Sequence, residues 1–151
     1  AGAIINQVTN SKGSYGPYCR ALERICQEES FHLKYGYENA VTLATGTPKQ
    51  RQMLQEALNR WWTPVMHFFG PPDKVSVHTE KLMKWKVKLA SNDDMRQQFL
   101  NMYVPKIWEL GLTIPDPALR KNSETGKWEY TEPDWSEFIR VVNGDGPCNK
   151  E

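Results

Sequence analysis

Arg24-Ile25-Cys26-Gln27-Glu28-Glu29-Ser30-Phe31-His32 spaces its apolar residues as a helix does, and no proline interrupts the run from Pro17 to about Thr45. Within it, Glu29 and His32 stand three apart. A helix puts such a pair on one face, where a carboxylate and an imidazole can grip one metal ion. Leu22, Ile25, Glu29, His32, Gly36 and Leu43 follow a heptad-like stripe, the face that a helical bundle buries. A buried carboxylate beside a buried imidazole is costly unless both are satisfied, and a metal satisfies both. Twelve Glu and three His occur among 151 residues. Chance alone gives one Glu-x-x-His in roughly a quarter of such sequences. A surface Glu–His pair therefore stays open beside the metal reading.

The same helical grammar continues on both sides. Residues 1–9 are a short apolar helical piece, and Ser11 to Gly16 is a polar connection. Pro17 suits the first turn of the long helix and Gly46 its end. Thr47-Pro48-Lys49-Gln50 is a capping box. It opens a helix to about Phe69 that passes Pro64. Gly70-Pro71-Pro72-Asp73 is a loop, and a basic amphipathic helix is expected from about Thr79 to Ala90. Ser91-Asn92-Asp93-Asp94 caps a further helix to about Leu110, through Pro105. Pro115 and Pro117 break the pattern. Leu119 to Tyr130 reads as a hairpin around Ser123-Glu124-Thr125-Gly126, and Asp134 caps a short helix ending near Gly144. The expected fold is mainly α, part of a helical bundle. Residues 1–110 form the bundle half, and residues 111–151 form an irregular extension with a small β-hairpin.

Composition removes several function classes. Nineteen basic and eighteen acidic residues leave a net charge of +1, which does not point to nucleic acid. No apolar run is long enough for a membrane helix. Three cysteines, an odd number, suit a reducing cytoplasm better than a disulfide scaffold. Six Trp call for a large aromatic core or a partner interface, with Trp61, Trp62, Phe68 and Phe69 as candidates. The opening Ala1-Gly2-Ala3-Ile4-Ile5 carries no initiator Met and reads as the start of a segment of a longer polypeptide. His67 and His78 read as packing or surface residues, and Cys19 and Cys26 as small buried ones. Lys81, Lys84 and Lys88, after Lys74, form a basic stripe. It is either a solvated helix face or a site for phosphate groups.

Ser14-Tyr15-Gly16-Pro17-Tyr18, the Arg24 to His32 run, Phe68-Phe69-Gly70-Pro71, Trp85-Lys86-Val87-Lys88, Asn92-Asp93, Val104-Pro105, Thr113-Ile114-Pro115-Asp116-Pro117 and Asp134-Trp135 occur in one order. In that order they resemble the catalytic oxygenase subunits of bacterial phenylacetyl-CoA epoxidases. The likeness covers nearly the whole chain and corresponds to the C-terminal half of such a subunit. It implies a ferritin-like bundle with a carboxylate-bridged, non-haem di-iron centre. It further implies an enzyme that uses O2 to epoxidise the aromatic ring of phenylacetyl-CoA. The implied partners are the remainder of the same subunit, a separate NADPH-dependent reductase and a related, catalytically inert helical subunit. By the resemblance, Glu29 and His32 match the second Glu-x-x-His and would be iron ligands. Lys88, Asn92, Ser76 and His78 match positions along the coenzyme A groove. The first Glu-x-x-His and both helix carboxylates have no counterpart here. Antiparallel geometry puts one of those carboxylates roughly 25 to 30 residues before Glu29, and residues 1–9 contain no Asp or Glu. A catalytically inert docking scaffold is the competing class. A mononuclear hydrolase is disfavoured because His-Glu-x-x-His is absent.

Overall fold

A computed structural model describes residues 2–76 and 78–145. Among them lie six helices and one two-stranded sheet: α1 (Gly2–Asn10), α2 (Gly16–Thr45), α3 (Pro48–Phe68), α4 (Thr79–Lys84), α5 (Asn92–Glu109), β1 (Arg120–Lys121), β2 (Trp128–Glu129) and α6 (Trp135–Val142). The chain is mainly α, as expected for part of a ferritin-like bundle. Residues 146–151, the last of the expected extension, lie outside the described residues.

Local signals set most boundaries. Thr47 Oγ1 accepts from the Gln50 amide at 3.3 Å while Gln50 Oε1 accepts from the Thr47 amide at 2.7 Å, closing the expected capping box. Ser91 Oγ accepts from the Asp94 amide at 3.1 Å at the start of α5. Asp134 accepts from the Ser136 amide at 2.9 Å at the start of α6. Both α3 and α5 run through their internal prolines, Pro64 and Pro105. The hairpin pairs Arg120 with Glu129 and Lys121 with Trp128, antiparallel. Its turn is tied by the Asn122 side chain, which accepts from the Glu124 and Thr125 amides.

The core lies between α1, α3, α5 and the extension. It gathers Ile5, Trp62, Met66, Phe69, Met95, Phe99, Leu100, Val104, Ile114 and Trp128. Leu100 and Val104 are wholly inaccessible, so truncating Leu100 to Ala costs about 2–5 kcal/mol. Of the four aromatic candidates, Trp62 and Phe69 are in this core, whereas Trp61 and Phe68 face outward. The extension packs on α5 through polar groups as well. Gln97 receives the Trp128 amide at 2.8 Å and donates to its carbonyl at 2.8 Å, so one side chain satisfies both backbone groups of a strand residue.

One helix is shorter than its periodicity suggested. The basic helix expected to reach Ala90 stops at Lys84. The amides of Lys86 and Val87 turn back to the carbonyls of Met83 and Leu82, and Lys86 sits at φ +56°. That is the usual left-handed helix stop, with a lysine where glycine is favoured. Tertiary contact fixes it. The Ser14 amide donates to the Lys86 carbonyl at 2.8 Å, and the Ser14 hydroxyl donates to the Trp85 carbonyl. Gly13 is required at this contact, since a Cβ there would sit 2.9 Å from two carbonyl oxygens, those of Lys86 and Val87. Lys88 therefore leaves the stripe of Lys81 and Lys84.

Candidate functional site

Glu29 and His32 share one face of α2, with the imidazole Nδ1 3.5 Å from the Glu29 carboxylate. Among the described residues neither side chain has another hydrogen-bond partner. The expectation that both are buried with Leu22 and Ile25 is corrected. Leu22 is buried, but Ile25 is 38% exposed, the His32 side chain is 74% exposed and that of Glu29 is 28% exposed. The reason lies in what covers α2. It packs on α1 and α3, and its buried residues are Leu22 and Ala44, about 33 Å apart along the axis. In the stretch between them, where the pair sits, no residue is fully buried: Leu33 and Ala40 are half-buried and the large aromatics face outward. Phe31 is 73% and Tyr35 70% exposed.

His32 also forms part of an apolar groove of about 240 Å³ between α2 and α5, with Leu33, Ala40, Tyr103, Ile107 and Leu110. One turn before Glu29, Cys26 is half-buried. Burial, then the carboxylates of Glu23 and Glu29, push its thiol pKa up, which keeps it protonated and unsuited to nucleophilic work. The donor chemistry of Glu29 and His32, one carboxylate and one imidazole on a common face and free of other partners, fits an iron site. It is a partial set. Among the described residues no group of three or more His, Cys, Asp or Glu converges as a metal site.

A second constellation surrounds Lys88. Its ammonium donates to Asn92 Oδ1. Asn92 is 5% exposed. Its Nδ2 donates to the Pro71 carbonyl at 2.7 Å, and its backbone amide donates to Asp73 Oδ1 at 3.0 Å. Asp73 in turn offers its amide to Asp93 at 3.1 Å. Behind these stands Arg96, fully buried on α5. It donates to Asp93 at 2.7 Å, to the Tyr130 hydroxyl at 3.2 Å, and to the carbonyls of Met66 and Gly70. Its guanidinium lies 5.4 Å from the centre of the Trp135 ring. Gly70, at φ +85°, is needed here, because a Cβ would sit 2.9 Å from Asn92 Nδ2. Burial lowers the Lys88 pKa most, and Arg96 adds to this, while Asp73 and Asp93 act against it.

The remaining candidates lie elsewhere. Ser76 Oγ is hydrogen-bonded to Thr79 Oγ1 at 2.6 Å, and His78 is exposed at the start of α4. Both line a cleft of about 390 Å³ with Pro71, Val75, Trp135 and Phe138. Lys88 lines a different cleft, about 440 Å³, with Asn6, Tyr15, Tyr18 and Leu82. Glu29 and His32 belong to neither. His67 is the packing residue expected: its Nε2 lies 3.0 Å from the Asp134 carbonyl, and Trp135 meets its ring edge-on. Cys19 is half-buried, with its thiol 3.2 Å from the Gly13 carbonyl. The sequence reading missed Arg96, Asp73 and Asp93. The sequence shows Asp93 and Arg96 three apart near the start of a capped helix, but nothing local marks Arg96 as buried.

The family model described as phenylacetic acid catabolic protein matches residues 1–142. A 1,2-phenylacetyl-CoA epoxidase subunit from Escherichia coli (strain K12) is 47% identical over 149 residues, which is 99% of this chain and 48% of that protein. The chain thus spans about half the length of the curated relative it matches. With its helical fold, its Glu29–His32 pair and a match running from the first residue to the end of α6, the chain belongs to the phenylacetic acid catabolic protein family.

Proposed function

We propose that the chain is part of the oxygenase subunit of a multicomponent di-iron monooxygenase acting on the aromatic ring of phenylacetyl-CoA. One oxygen atom of O2 enters the ring as an epoxide. The other leaves as water at the expense of NADPH, through a separate reductase. The observation that carries the reading is the Glu29–His32 pair, with no other hydrogen-bond partner and on one helix face, of which His32 lines an apolar groove.

Glu29 would hold iron through its carboxylate and His32 through one ring nitrogen. The other ring nitrogen then needs an acceptor to fix the tautomer. When bound, the iron pair supplies the activation of O2. The side chains of this chain do the rest. Leu33, Ala40, Ile107 and Leu110 present an apolar surface that suits a phenyl ring. Lys88, in its own cleft, offers a point charge to a phosphate group of the thioester's carrier. The further ligands would come from the remainder of the same subunit, and a second helical subunit would cover exposed α2.

Turnover in the intact complex tests this. Phenylacetyl-CoA, O2, reductase and NADPH are supplied to the wild type and to Glu29→Ala and His32→Ala. Loss of ring epoxide in both variants is expected. Wild-type turnover in either refutes the assignment. The second reading, a metal-free scaffold that docks a partner, draws on exposed Phe31 and Tyr35. It requires an iron-free intact protein that still assembles.

A further inference from the structure

Glycine inside a helix gives up more backbone freedom on folding than any other residue, so it persists where something else requires it. Gly36 stands in the interior of α2. No left-handed backbone calls for it, since the positive-φ glycines among the described residues are Gly70, Gly111, Gly126 and Gly144. No close approach within this chain calls for it either. A Cβ at Gly36 would meet nothing within 4 Å, whereas at Gly13 and Gly70 it would strike neighbouring atoms at 2.9 Å.

What Gly36 leaves open belongs to the groove between α2 and α5. It lies one turn after His32, and residues four apart share a helix face. The opposite wall is Tyr103, Ile107 and Leu110 of α5. Lys106 ties the two walls together. Its ammonium lies 5.8 Å from the centre of the Tyr37 ring on α2 and 5.6 Å from that of Tyr103 on α5, a cation shared by both helices. The groove measures about 240 Å³. An apolar cavity of about 150 Å³ takes one benzene ring, so the groove has room for a ring and a small substituent. Gly36 is the one lining residue without a side chain.

We infer that Gly36 is a specificity-determining residue of the proposed oxygenase. The space beside its Cα, one turn from His32, receives the edge of the substrate's aromatic ring, and the missing side chain sets the largest ring substituent admitted. The inference rests on the proposed reading that this groove takes the phenyl ring of phenylacetyl-CoA.

Kinetics of the intact protein with its reductase test it. The substrates are phenylacetyl-CoA and para-methylphenylacetyl-CoA, with iron content and melting recorded alongside. The wild type turns over both. Gly36→Ala adds one methyl to the slot. It lowers kcat/KM about threefold for phenylacetyl-CoA and about thirtyfold for the methylated ring, a change in preference of about tenfold, as expected for one carbon in an apolar pocket. Gly36→Leu lowers kcat/KM at least about fiftyfold for both substrates. Iron content stays at the wild-type level in both variants. Gly36→Ala melts about 1–4 °C higher, since alanine favours the helix and meets no neighbour. An unchanged preference in Gly36→Ala overturns the inference, as does a wild type that rejects the methylated ring. A lower melting temperature in Gly36→Ala also overturns it, since a segment of the protein then fills the slot. Loss of iron in either variant assigns the effect to the metal pair and overturns it too. No ring epoxide from the wild type overturns the proposed function itself, a result visible before Gly36 is altered.

Discussion

Removing the Arg96 guanidinium isolates the lock behind Lys88. Arg96 is fully buried, and Arg96→Met keeps the length of its stem while deleting every polar contact. Two of those contacts are carbonyls. Met66 lies in the last turn of α3, where helix carbonyls lack intrahelical partners, and Gly70 lies just beyond. A cation there also complements the helix dipole. Each orphaned carbonyl costs about 1–3 kcal/mol. Asp93 keeps 41% of its side chain exposed, so water can take over its solvation. The total expected is about 3–5 kcal/mol, the range for removing one partner of a buried pair. At about 2–4 °C per kcal/mol, melting falls by about 6–20 °C. Asp93→Asn is the comparison. It keeps the guanidinium on both carbonyls and loses only the carboxylate charge, for about 1 kcal/mol. Thermal unfolding of the intact protein, read by near-ultraviolet circular dichroism, measures both. Equal losses in the two variants would show that the ion pair, and not the capping of α3, dominates. An Arg96→Met variant melting within about 2 °C of wild type would refute the reasoning outright.

Three further outcomes follow from other parts of the fold. Lys86→Gly relieves a left-handed residue at φ +56° and stabilises by about 0.5–1 kcal/mol, read as a rise in denaturation midpoint; a fall would mean that the Lys86 side chain matters more than its backbone. Asp134 is held below the usual carboxylate range by its bonds to Ser136, and Glu129 by Asn122 and Arg120. Their depressed folded pKa values mean that the unfolded chain takes up protons first. Their stabilisation is therefore present above the ordinary carboxylate pKa and is lost as pH falls through the folded values. Asp134→Asn should flatten the acid side of the melting-temperature profile; a slope equal to wild type counts against it. The isolated 17.5 kDa chain should self-associate through Phe31 and Tyr35 on α2, so light scattering that reports a cooperatively melting monomer contradicts the account of that face.

Most element boundaries were legible because local backbone needs decide them. Thr47 with Gln50, Ser91 with Asp94, and Asp134 with Ser136 each satisfy amides within one turn, and a sequence states such pairs directly. The end of α4 was not legible. It depends on Ser14 reaching the carbonyls of Trp85 and Lys86 across the fold, which no local pattern encodes. Arg96 was illegible for a related reason. A charged residue in a helix reads as surface, and its burial requires α3, the Gly70 loop and Tyr130 to arrive together. The stripe on α2 was read correctly as spacing and wrongly as burial within this chain. Periodicity identifies an apolar face, but α1 and α3 cover only its ends.

Exposure of His32 separates stability from function at the proposed metal pair. In this chain its side chain is 74% exposed and its contact with Glu29 is 3.5 Å, so in the isolated 17.5 kDa chain His32→Ala should change stability by no more than about 0.5 kcal/mol through packing. Removing a ligand should still release iron. The decisive measurement is iron per subunit in the intact, purified protein, wild type against His32→Ala, with metal-free melting of the isolated chain recorded for both. The account predicts iron in the wild type, its loss in the variant and matching apo melting curves. A His32→Ala protein that keeps its full iron content would contradict it.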